Sequence, residues 1–277
     1  MARKGFSVGW LFVSYFMIIG GLMLAAALLG ALKVEGEWVG HAVMFLGGGF
    51  GGFFAGRASP GKTIIEPALA GALLIVTFIL LFLSIPGSRA LFAADSGAAL
   101  VGSLKVGFIT ALGGLAGAVL GERSSPPVRS ASALRWMGLS GLITLGVMVF
   151  LLLVIGIVTL RSGTIGDSGG VAVLILALSA LVGGGITQAI APRKMCFAAG
   201  SGFIVVILAS IGLAIAGGGN LGMGEALVGL FILGAIGTLI GALGARIAWG
   251  MVGDRVTQHA SHEQTAAGMP SARIQSK

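Results

Sequence analysis

The chain is poor in residues that carry chemistry. A single cysteine, Cys196, in 277 residues excludes an intramolecular disulfide and any cysteine-based metal cluster. One tyrosine and three histidines leave little material for acid–base work. No metal triad, nucleophile–base pair or carboxylate pair stands out, so an enzyme is the last-ranked class and no cofactor or metal is expected. Charged residues make up only 9% of the chain, against about 25% in a soluble domain. A polypeptide so short of charge cannot cover itself against water.

Apolar residues and glycine fill the space instead. Hydrophobic residues reach 56% and glycines number 50, with a mean hydropathy of +1.06. Bilayer is the natural solvent for such a chain. A net charge of +8 would suggest nucleic acid in a soluble protein. Here the cations lie in short segments between apolar runs, which points to membrane lipid and topology rather than nucleic acid.

Eight runs are long enough to cross a membrane at about 20 residues each. They are Phe6 to Leu32, Trp38 to Gly56, Ile64 to Ile85, Gly97 to Gly121, Ala133 to Leu160, Gly169 to Ala191, Met195 to Ala216 and Glu225 to Met251. The first is about twice the length of a signal-peptide core, so it reads as a retained span. Asp95 and Ser96 open the fourth. The polar, proline-bearing stretch around Pro126 and Pro127 makes 124–132 a linker, and the polar residues 254–277 read as a disordered tail.

The pattern restarts after the linker. Trp10, Ser14 and Gly20 match Trp136, Ser140 and Gly146; Gly47 to Gly49 and Arg57 match Gly183 to Gly185 and Arg193. Residues 1–123 and 133–253 therefore read as two four-helix repeats. With an even number of spans in each, they are parallel rather than inverted. Segments on the amino-terminal side hold thirteen of the lysines and arginines, and those on the other side hold Lys33, Arg89 and Arg161. By the positive-inside rule both termini are cytoplasmic. The expected fold is an all-α membrane protein of eight transmembrane helices, placed in a bacterial inner membrane.

Glycines recur every fourth residue at Gly48, Gly52 and Gly56 and at Gly113, Gly117 and Gly121, with a shorter pair at Gly237 and Gly241. Such ladders expose a smooth helix face that another backbone can approach. They serve packing within the bundle, or a surface for a partner protein or a second copy. Gly56 to Thr63 fits the phosphate-loop pattern, but it joins two spans and lacks the strand and sheet that the motif needs. A tight basic turn is the simpler reading. Thr63 and Glu66 there suggest a capping box, and Arg57, Lys62 and Glu66 a small charge network.

Lys105 is the one full charge well inside a run. It is either a functional group or a lysine whose stem snorkels to the interface. His41 reads as an interfacial histidine, and His259 with His262 as a poor metal site on a tail. These features favour a non-catalytic scaffold or accessory subunit held by glycine packing. The alternative is a small-solute transporter or channel with a site between the repeats near Lys105.

Overall fold

A computed structural model describes residues 6–59, 64–84, 89–90, 94–123, 133–162, 168–190, 232 and 235–248. The linker 124–132, the run Met195 to Ala216, Lys62, Thr63, His259, His262 and the tail lie outside the described residues. Those described form helices and turns with no strand. In chain order they are α1 (Val8–Ala31), α2 (Val39–Ala58), α3 (Ile65–Ser84), α4 (Ser96–Arg123), α5 (Ala133–Ser162) and α6 (Ser168–Ile190). The last is α7 (Ala235–Ala248), which covers part of the eighth run. Helices α1, α2, α4 and the Gly138–Val158 part of α5 are long and apolar enough to span a membrane. The apolar parts of α3 and α6, and α7, are shorter.

Local chemistry sets several helix ends. Ser7 is the N-cap of α1, and its side chain accepts from the Trp10 amide. At the other end the Val34 amide donates to the Leu29 carbonyl and the Lys33 amide to Gly30. This is a Schellman closure, and it places Lys33 at φ 51°, a position glycine usually takes. The Asp95 carboxylate accepts from the Ala98 amide at 2.8 Å, so it caps α4 as its position before the fourth run suggests.

Register gives the directions. Gly47 packs on Leu22 and Gly51 on Ile18, so α1 and α2 run antiparallel. Gly71 packs on Ala111 and Gly107 on Ile75, so α3 and α4 do the same. Bonds from Ser7 to Glu66 and from Tyr15 to Thr77 set α1 parallel to α3. In the second half, Gly183 lies against Thr144, and Ser140 bonds Thr187, so α5 and α6 are antiparallel. The four helices of the first half thus alternate up and down.

Helix α1 is the hub. Its Trp10, Val13 and Met17 pack with Ala55 of α2 and with Leu139, Leu142 and Ile143 of α5. Tyr15, Ile18 and Ile19 pack on Ala70 and Leu74 of α3. Tyr15, Phe16 and Phe150 meet edge to face. Where α1 meets α5, Gly20 sits against the Leu142 carbonyl and Gly146 against the Phe16 carbonyl. Each glycine therefore rests on the carbonyl four residues before the other.

Candidate functional site

The most constrained part of the described structure is the seam between α2 and α4. Gly48, Gly52 and Gly56 face the carbonyls of Thr110, Gly114 and Ala118. In return Gly113, Gly117 and Gly121 face those of Phe45, Gly49 and Phe53. The constant offset along the seam shows that the two helices are parallel. A Cβ at Gly56 would lie 2.6 Å from the Ala118 oxygen, nearer than any real carbon sits. Only hydrogen fits, and the glycine Cα–H groups are left to face the opposing carbonyls. Both long ladders are therefore occupied within the chain. Gly241 belongs to a similar contact, with Gly184 against it and Gly244 against the Leu181 carbonyl. Gly237 is buried.

Of the charged candidates in the basic turn, Arg57 and Glu66 are described and Lys62 is not. Arg57, in the last turn of α2, lies over the Phe53 ring at 5.6 Å. Glu66, in the first turn of α3, is only 2% exposed. One of its carboxylate oxygens accepts from the Ser7 amide at 3.0 Å. A capping box normally uses an acid three residues into the same helix. That position on α1 is Trp10, and the acid comes from α3 instead. The physical cause is burial: Ser7 is 5% exposed, and a buried amide at a helix start needs an acceptor. Glu66 thus closes α1, a role that the sequence-based pairing with Thr63 did not anticipate.

Lys105 is exposed, on the outer side of α4. It borders an apolar groove that α3 and α4 wall with Ala72, Ile75, Leu104 and Phe108. Gly113 abuts the Gly49 amide, so two turns earlier Lys105 is level with His41 in the first turn of α2. That level is near one end of the bundle. His41 is exposed at that end.

A set of buried hydroxyls escaped sequence reasoning. Ser140 and Thr187 join α5 to α6 at 2.9 Å. Thr144 donates to the Ser140 carbonyl and Thr187 to the Gly183 carbonyl. Ser14, which the repeat reading pairs with Ser140, is fully buried, and its hydroxyl has no hydrogen-bond partner among the described residues. By the same alignment, Gly51 stands where the second half has Thr187. The signal was present as serine and threonine recurring in apolar runs, but spacing alone does not say which of them meet.

The described residues contain no cluster of three or more histidine, cysteine or acidic side chains able to hold a metal. Comparison with protein-family models, with curated proteins and with solved structures finds no match.

Proposed function

We infer that this chain is a non-catalytic polytopic membrane protein, a scaffold or accessory subunit whose helices are locked by glycine contacts. The observation that carries this reading is the α2–α4 seam, closed by reciprocal glycine–carbonyl contacts over its whole inner length. A seam of that kind leaves little room for helices to slide or part, which suits a fixed frame. In the finer form of the proposal the chain crosses a bacterial inner membrane eight times, as two parallel four-helix repeats, with both termini in the cytoplasm. The reciprocal contact of Gly20 and Gly146 supports the duplication, because matched residues meeting each other is what a two-fold relation requires.

Two experiments test the proposal. Purification of the full-length protein from native membranes in mild detergent, followed by mass spectrometry, should recover a stoichiometric protein partner. A lone monomer that moves a solute when reconstituted in vesicles would overturn the scaffold reading. A reporter fused after Lys277 should be active on the cytoplasmic face. Activity on the opposite face would sink the eight-span topology.

A further inference from the structure

Beside the seam, α1, α2 and α4 leave an open apolar groove of about 480 Å³. Gly49, Gly113 and Gly117 form its floor, and Phe45, Phe53 and Leu120 line its sides. Phe45 and Leu120 are exposed at 45% and 59%. From Phe45 to Phe53 the groove follows two turns of α2, about 12 Å at the helical rise. At its far end the Arg57 guanidinium lies over the Phe53 ring that forms the wall. The Gly121 contact with the Arg57 amide sets the ends of α2 and α4 at one level, which brings Arg123 and its neighbour Glu122 to the same end, two cations to one acid.

Lining and charge select the occupant. A single flexible hydrocarbon chain suits an open groove walled by leucine, phenylalanine, alanine and glycine. The carboxyl-terminal carbonyls of two parallel helices would repel an anion here, but an arginine in the last turn of each offsets that field. A guanidinium braced on an aromatic ring also presents paired N–H groups that match phosphate. We propose that this groove is a binding site for an anionic phospholipid, with one acyl chain between the phenylalanines and the phosphate on Arg57. The site rests on the membrane location of the chain and is independent of whether the protein is a scaffold.

Native mass spectrometry of the full-length protein decides the matter. The protein is offered equal amounts of phosphatidylglycerol and phosphatidylcholine with identical chains. Wild type should retain one lipid with at least about a five-fold preference for phosphatidylglycerol, the increment expected for one cation beside a headgroup of net negative charge rather than a zwitterionic one. Arg57→Gln should keep a lipid but lose the preference. Gly49→Leu should lose the retained lipid, since a Cβ there meets only the Gly113 carbonyl at 3.8 Å and the longer side chain fills the groove. Equal retention of the two headgroups by wild type would overturn the proposal without reference to any variant. So would a preference that survives Arg57→Gln, or a retained lipid that survives Gly49→Leu in a variant that melts like wild type. Disulfide cross-linking between two Leu120→Cys copies in vesicles would place a second copy in the groove instead, and would also overturn it.

Discussion

Substituting alanine for Gly117 tests whether absent side chains hold this bundle together. A Cβ at Gly117 would fall inside the contact distance of the Gly49 carbonyl oxygen, with the Gly49 carbon and the Phe53 nitrogen both at 2.8 Å. Ordinary contacts of carbon start near 3.5 Å, so the two backbones must part by roughly 1 Å. All three of these atoms are main chain, so no side chain can rotate away. The helices are stiff, and parting them at Gly117 also loosens the contacts at Gly113 and Gly121. Overpacking of this kind costs about 1–3 kcal/mol, while replacing glycine within a helix returns about 0.5–1 kcal/mol. The net expectation is a loss of about 1–2 kcal/mol. Gly102, on the same helix, has nothing among the described residues within 4 Å of its would-be Cβ. Gly102→Ala therefore keeps only the gain, about 0.5–1 kcal/mol. Unfolding of the purified protein in mixed micelles, followed by circular dichroism, measures both. Equal shifts for the two variants would refute the reasoning, because the two sites differ only in what surrounds them. Gly117→Leu should not fold at all.

Further outcomes at four positions follow from the same geometry. Glu66→Ala should cost about 1–3 kcal/mol of stability by leaving the buried Ser7 amide unsatisfied. Glu66→Gln, which keeps an acceptor, should cost distinctly less in the same melts. Lys33→Gly should stabilise by about 1 kcal/mol, because Lys33 holds a left-handed conformation that disfavours a side chain; a destabilised variant would argue against the Schellman closure. Thr187→Val should cost about 0.6 kcal/mol, and no more than about 1.7 kcal/mol, by removing the Ser140 bond. Ser14→Ala should be neutral or stabilising, since no partner is lost.

Much of the helical content was legible because lipid demands it. Every backbone group must be paired within its own segment, so an apolar run of sufficient length is a helix. The run Ile64 to Ile85 became Ile65–Ser84, and Gly97 to Gly121 became Ser96–Arg123. Glycine spacing also announced close backbone approach, and the α2–α4 seam shows it. What spacing could not supply was the partner. A glycine face is smooth and accepts any helix, so Gly48, Gly52 and Gly56 carried no information that α4 would cover them. The same limit applies to charge. Glu66 looked like a local cap because Thr63 precedes it by three residues; Thr63 lies outside the described residues, and what spacing did not announce is that Glu66 also accepts from Ser7, 59 residues away. That contact depends on α1 and α3 starting at one level, which is a property of the assembled bundle.

At one pair of positions that the proposed duplication aligns, the described residues differ. At the α5–α6 crossing a serine and a threonine bond to each other; at the α1–α2 crossing the aligned positions hold Ser14 and Gly51. Glycine there lets α2 close on the Ile18 backbone, with a would-be Cβ only 2.6 Å from the Ile18 Cα. The second half gives up that closeness and gains a hydrogen bond, which in a membrane interior is worth about 0.6 kcal/mol on average. If the halves share an origin, the serine was kept in both while its partner was kept in one. Gly51→Thr then becomes the informative swap. It would offer Ser14 a hydroxyl but drive a side chain into α1, and main-chain overlap at Ile18 outweighs a bond of that size. The expected result is a destabilised protein. A Gly51→Thr variant at least as stable as wild type would show that α1 and α2 can separate, and the glycine-locked description of the first half would fail with it.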